Sequence, residues 1–147
     1  LNELWLQFRK NGEPVSCAII DVDHFKEIND NFGHLKGDEV LQRIATTLLA
    51  DMRSGDCLYR LGGEEFLVLF PNEGIDSATA CAERCRANVQ ATMAAGLSSG
   101  AITVSIGVAQ ATKEMTVPDQ LLHAADLALY RAKDAGRNTV RPIAQVA

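Results

Sequence analysis

The sequence predicts an α+β domain, and three observations carry that expectation. Strand-length apolar runs and amphipathic stretches alternate in the order strand, helices, strand, strand, helix, strand, with one more helix at the end. The run "VSCAIIDVD" (15–23) is apolar almost throughout, the pattern of a central strand covered on both faces. "RLGGEEFLVLF" (60–70) joins two strand-like runs through Gly62-Gly63, a two-residue loop suited to the primed hairpin turns that need positive φ. Together these give βαββαβ, the ferredoxin-like arrangement, with an antiparallel sheet and helices on one face.

The elements follow in order. "LNELWLQFR" opens as an amphipathic helix with Leu1, Leu4, Trp5 and Phe8 on one side, and Gly12 and Pro14 close it. After the first strand, "HFKEIND" reads as a short helix and "NFGH" interrupts it. "KGDEVLQRIATTLLADM" is a long helix with Val40, Leu41, Ile44, Leu48 and Met52 along one face. "CLYRL" and "EEFLVLF" are the hairpin strands, and Pro71 ends the second. Residues 75–93 carry Ala78, Cys81, Ala82, Cys85, Val89 and Met93 at helical spacing. "AITVSIGVA" is a further strand, Pro118 starts a helix that Gly136 stops, and "TVRPI" is a last edge strand.

Composition narrows the function. The chain of 147 residues is long enough for one well-filled core, and 47% apolar with 22% charged residues is the balance of a soluble globular protein. A net charge of -5 without a basic run argues against binding nucleic acid or an anionic membrane. An acidic domain still binds a polyphosphate where a divalent cation mediates the contact. Cys17, Cys57, Cys81 and Cys85 lack zinc-site spacing and read as reduced thiols of a cytoplasmic domain.

In the predicted topology the first strand lies beside the third and antiparallel to it. Asp21, at the end of one, then neighbours Glu64, at the start of the other, with Asp23 and Glu65 close by. Carboxylates that close raise one another's pKa unless a cation neutralises them. A site of oxygen ligands without histidine or thiolate points to Mg²⁺ or Mn²⁺, completed by substrate phosphates. Glycines at such a turn let the backbone approach a phosphate or ribose closely. A merely solvated turn is the plainer alternative for the same residues.

The residues Gly62-Gly63-Glu64-Glu65-Phe66 resemble the namesake motif of the GGDEF family of diguanylate cyclases, which condense two GTP into cyclic di-GMP. "DVDHFKEINDNFGHLKGDEVL" (21–41), "ITVSIGVA" and "ADLALYRAKDAGRN" (125–138) resemble its other blocks in the same order. The resemblance covers Val15 to Val140. It implies that Asp21, Glu64 and the backbone carbonyl of Val22 hold the metal, that Glu64 helps deprotonate the ribose 3'-hydroxyl, and that Glu65 supports the acidic edge. Asn29 and Asp38 match the guanine-recognising pair. Lys133 and Arg137, four apart on one helical face, match the triphosphate contacts, and Lys26 with the backbone of His24 and Phe25 serves phosphates as well. Without the surrounding blocks, Asp38 reads as a helix-start acid, Asn29 as a turn residue and the bases as surface charges. Arg60 reads either as a phosphate contact or as half of a cross-strand ion pair. His24, His34 and His123 show no catalytic pattern.

The resemblance also implies a dimer, at least a transient one, because one half-site cannot close a ring from two nucleotides. Arg53-Ser54-Gly55-Asp56 resembles the family's inhibitory Arg-x-x-Asp motif, with Arg84 as a further contact for bound cyclic di-GMP. The bland alternative is an i,i+3 ion pair between Arg53 and Asp56. Family members usually carry an Asp-x-Leu-Thr segment and an Asn-Arg pair ahead of the first helix. Residues 1–147 therefore read as a single such domain, an N-terminally truncated fragment of a longer chain, cytoplasmic and without membrane contact of its own. A noncatalytic GTP or cyclic di-GMP receptor is the rival reading, and a purely structural dimerisation domain would leave the acids unexplained.

Overall fold

The computed structural model describes residues 1–94 and 101–143. Five strands form one sheet in the order β2-β3-β1-β4-β5, where β1 is Val15–Val22, β2 Cys57–Gly62, β3 Glu65–Pro71, β4 Val104–Gln110 and β5 Val140–Pro142. β1 pairs antiparallel with β3 and β4, and β2 pairs antiparallel with β3. This is the expected ferredoxin-like core. β5 adds to the β4 edge in parallel.

Five helices flank the sheet: α1 Asn2–Asn11, α2 Phe25–Phe32, α3 His34–Ala50, α4 Ile75–Met93 and α5 Pro118–Asp134. All eight positions of β1 are buried, which is why its sequence shows no polar alternation. Ala18, Ile20 and Val22 point into a core shared with α2, α3 and α4. Val15, Cys17 and Ile19 point the other way, into a second core with Trp5 and Phe8 of α1 and Leu121, Ala125 and Leu129 of α5. Helices therefore cover both faces of the sheet, not one. The two helices outside the βαββαβ repeat supply the second layer.

α5 packs exceptionally close to β4. A Cβ on Gly107 would stand 2.1 Å from the Leu129 backbone nitrogen and 2.3 Å from the Ala125 carbonyl oxygen. The facing side of α5 carries Ala125, Ala128 and Ala132, all fully buried. Small residues on the helix and none on the strand let backbone meet backbone.

The hairpin differs from the expected loop. Arg60 pairs with Phe66 and Gly62 with Glu65, so Leu61 is the extra residue of a β-bulge and the loop is Gly63-Glu64. Gly62 and Gly63 take φ of 151° and 43°, conformations that disfavour a side chain. The Arg60 guanidinium donates to the Gly63 carbonyl through Nη2 (2.7 Å) and Nε (3.1 Å), bracing the turn rather than forming the cross-strand ion pair. Among the described residues no helix is long and apolar enough to cross a membrane.

Candidate active site

β1 and β3 bring the acids to one sheet edge, one residue out of the expected step. Asp21 lies directly opposite Glu65, and Glu64 sits in the turn, where its carbonyl accepts the Val22 N–H at 3.2 Å. Asp21 is buried, while Glu64 and Glu65 are half-buried. Burial, followed by the charge of Asp21, pushes both glutamates above the ordinary carboxylate value of 4.5. Lys133 opposes that rise in both. Its Nζ donates to Asp21 Oδ2 at 2.9 Å, which ties the base expected on a phosphate to the aspartate expected to hold a metal.

Three carboxylates thus share one ammonium, and the excess negative charge suits a hard cation with oxygen ligands. Among the described residues, no cluster of three or more His, Cys, Asp or Glu side chains is arranged to hold a metal by itself. Asp21 and Glu64 fit a Mg²⁺ or Mn²⁺ bound by two carboxylates, with the rest of its shell supplied from outside the protein.

A carboxylate whose folded pKa is raised stabilises the fold fully only below its unfolded pKa. That contribution is lost as pH rises through the folded value. In metal-free protein, Glu64→Gln is therefore expected to melt at a higher temperature than wild type near neutral pH. The gap should close as pH falls below 4.5, where the wild-type glutamate is protonated too. A variant less stable than wild type at neutral pH would contradict this account of the edge.

Asp23, the next inward acid, does different work. It is buried and accepts hydrogen bonds from Ser105 Oγ (2.6 Å), Thr103 Oγ1 (2.7 Å) and the Asn138 backbone N–H (3.0 Å). The last of these fastens the turn after α5. That turn is a Schellman motif: Arg137 N–H reaches the Ala132 carbonyl at 3.1 Å and Gly136 N–H the Lys133 carbonyl at 3.2 Å. Arg137 consequently lies beyond the helix, with φ of 65°, and does not share a helical face with Lys133. Asn138 also accepts from Arg86 Nη1 at 2.9 Å. Sequence placed Asp23 near the acidic edge without this bracing role, and it did not single out Asn138 or Arg86. The signal available was a pair of hydroxyls two apart, Thr103 just before β4 and Ser105 within it, where β4 pairs with β1.

A second part of the site lies where α2 meets α3. His24 precedes α2 with φ of 56°, and both it and Lys26 are exposed, whereas Phe25 is buried. Asn29 packs against Gly37, where a Cβ would stand 1.9 Å from Asn29 Oδ1. That oxygen is buried and accepts no hydrogen bond within the chain. Such an orphan is costly unless a ligand donates to it. Beside it, Asp38 borders an open cleft of about 420 Å³ with Leu41, Ala45, Leu58, Arg60 and Phe66. That volume falls in the range of small-molecule sites.

The Arg-x-x-Asp segment forms a closed turn. Arg53 N–H donates to Asp56 Oδ2 and Asp56 N–H to the Arg53 carbonyl, both at 3.0 Å. The Arg53 guanidinium does not pair with Asp56; its Nη2 lies against the buried carboxylate of Glu73. Arg84, from the same helix α4, lowers the Cys81 thiol while Asp56, from the turn before β2, raises it. A hydrogen bond with Cys85 holds Cys81 down at about 7, and that bond, with burial, pushes Cys85 up. All four cysteines are free thiols.

Fold and site define a class: a ferredoxin-like α+β domain with a Gly-Gly-Glu-Glu-Phe hairpin beside an acidic sheet edge and an adjacent polar cleft. The chain belongs to the GGDEF family, matching the description "Diguanylate cyclase, GGDEF domain" over residues 1–139. It is 45% identical over 132 residues to the response regulator PleD of Caulobacter vibrioides, covering 88% of this chain and 29% of PleD. It is 47% identical over 129 residues to the diguanylate cyclase DgcM of Escherichia coli, covering 88% and 31%. The chain thus spans less than a third of these relatives. Among solved structures, it resembles the GGDEF domain of DgcB from Caulobacter crescentus in complex with c-di-GMP, with a TM-score of 0.90 and 32% identity over 97% of this chain and 85% of that one. It also resembles the active GGEEF domain of a Vibrio cholerae diguanylate cyclase, with a TM-score of 0.88 and 31% identity over 98% and 92%.

Proposed function

We propose that residues 1–147 act as one diguanylate cyclase domain that condenses two GTP into cyclic di-GMP and two pyrophosphates. The observation that carries this reading is the meeting of Asp21, Glu64 and Glu65 at one edge with a single ammonium among them. Family membership and the relatives named as diguanylate cyclases support it. Asp21, Glu64 and the Val22 carbonyl would hold a divalent cation, which supplies charge neutralisation and polarises the α-phosphate when bound. Glu64 accepts the 3'-hydroxyl proton as the ribose oxygen forms its bond to the partner nucleotide's α-phosphorus and the bond to pyrophosphate breaks. Lys133, Arg137 and Lys26 hold the phosphates, with the backbone of His24, Phe25, Gly62 and Gly63.

Asn29 and Asp38 would select guanine. The Asp38 carboxylate accepts from N1–H and the exocyclic amine, donors that adenine does not offer in that pattern, and the orphan Asn29 oxygen gains a donor. Asp38→Ala is therefore expected to weaken GTP binding by about 1–3 kcal/mol or to relax selection against ATP. Unchanged affinity and unchanged selectivity would remove Asp38 from the base site.

Since each domain carries one half-site, the reaction requires two copies, and specific activity should rise with protein concentration. The defining experiment incubates the protein with GTP and Mg²⁺ and measures cyclic di-GMP by mass spectrometry over a dilution series. Nucleotide binding without product would favour the noncatalytic receptor. Product with a specific activity flat on dilution, and no stable dimer, would oppose the two-half-site route. The Arg53-to-Asp56 turn, with Arg84, is proposed as the site where cyclic di-GMP inhibits turnover. An Arg fork takes guanine O6 and N7 while an Asp accepts N1–H.

A further inference from the structure

We propose that Glu73 is a positioning residue for this product site: it holds the Arg53 guanidinium in place and cancels its net charge, so that the site selects the guanine edge and not anions in general. The inference rests on reading Arg53 and Asp56 as a product site. Glu73 follows β3, one residue past Asn72, and its side chain is only 3% exposed. An ionised carboxylate is tolerated there only when its charge and lone pairs are matched. Ser77 Oγ donates to Oε2 at 3.0 Å, and the residue's own carbonyl takes Ser16 Oγ at 2.7 Å. Oε1 accepts no well-directed hydrogen bond and relies on charge contact with Arg53 Nη2.

The asymmetry of this pair is the telling feature. A counterion serving only stability would be buried with its carboxylate, yet the Arg53 side chain is 59% exposed. One nitrogen of the fork meets Glu73, and the remaining N–H donors stay available to a ligand. Asp56 is arranged alike, with one carboxylate oxygen spent on the Arg53 backbone N–H. Both recognition side chains are thus tied on one side and open on the other. An arginine already neutralised by Glu73 attracts a bare phosphate weakly, whereas its directed donors still suit guanine O6 and N7.

The test is calorimetric titration of cyclic di-GMP, without divalent cation, into wild type and the variants Glu73→Gln, Ser77→Ala, Arg53→Lys and Asp56→Asn, with melting curves to confirm folding. Glu73→Gln is expected to weaken binding roughly tenfold and Ser77→Ala roughly threefold. Glu73→Gln should also steepen the dependence of affinity on salt, a change that loosened packing alone would not bring. Added to Arg53→Lys, it should cost less than about twofold more, because its effect runs through the fork. If Arg53→Lys and Asp56→Asn bind as wild type does, the product-site reading itself fails. If those two lose affinity while Glu73→Gln and Ser77→Ala do not, the site stands and the role of Glu73 is overturned. An equal loss from Glu73→Gln with and without Arg53→Lys would also overturn it, since Glu73 would then act through the fold at large.

Discussion

Glu64→Gln is expected to lower cyclic di-GMP formation by roughly 10²–10⁴-fold while the domain stays folded. The substitution keeps the shape of the Gly63-Glu64 turn and removes the charge and the proton acceptor together. On the proposed reading two losses then coincide at one position: a ligand for the cation and the group that would receive the 3'-hydroxyl proton. Because burial and the charge of Asp21 raise the cost of ionising this carboxylate, the variant should be no less stable than wild type without metal. Loss of activity without loss of stability is the signature to look for in rate measurements run beside melting curves. Near-normal turnover in a folded Glu64→Gln protein would sink the assignment.

Gly107→Ala should be the most damaging single methyl at any described glycine. The added Cβ meets the Leu129 nitrogen at 2.1 Å, the Ala125 oxygen at 2.3 Å and the Leu129 Cα at 2.7 Å. All three are backbone atoms, so no side-chain rotation relieves the clash and α5 must lift from the sheet. The expected cost is about 3 kcal/mol or more, a large share of the ~5–15 kcal/mol that holds such a domain together. Lys133 and the turn carrying Arg137 would move with the helix, so nucleotide affinity should fall in whatever fraction remains folded. Urea denaturation reads the first effect and nucleotide titration the second. A midpoint shift equivalent to less than about 1 kcal/mol would show that the helix yields more easily than backbone contact implies.

Most of this architecture was legible in the order of apolar patterns, and α4 appears over the residues its periodicity marked, Ile75–Met93. The carboxylate edge was legible because antiparallel pairing of β1 with β3 follows from topology. Its detail was not. A bulge at Leu61 moves Glu64 into the turn, the pairing of β1 with β3 sets Asp21 opposite Glu65, and nothing in "CLYRLGG" declares that extra residue. Lys133 and Arg137 show helical spacing, but the glycine between them ends the helix before Arg137. The partners of buried acids were least visible. Asp23 with Ser105 and Glu73 with Arg53 are joined by tertiary folding; the two hydroxyls near β4 hint at the first pair, and nothing in the sequence marks the second.

The Asp23–Asn138 hydrogen bond and the Gly107 contact have a thermodynamic consequence. They bind the end of α5 and its exit turn to the β1–β4 ladder before any ligand is present. Ordering a loose loop on binding drains roughly 0.5–1.5 kcal/mol for each side chain immobilised, and that loss subtracts directly from affinity. Here the backbone on both sides of Arg137 is set during folding, so the entropy has been surrendered once, at synthesis, and not at each binding event. On the proposed reading, a nucleotide reaching this edge would have only the outer atoms of Lys133 and Arg137 left to still.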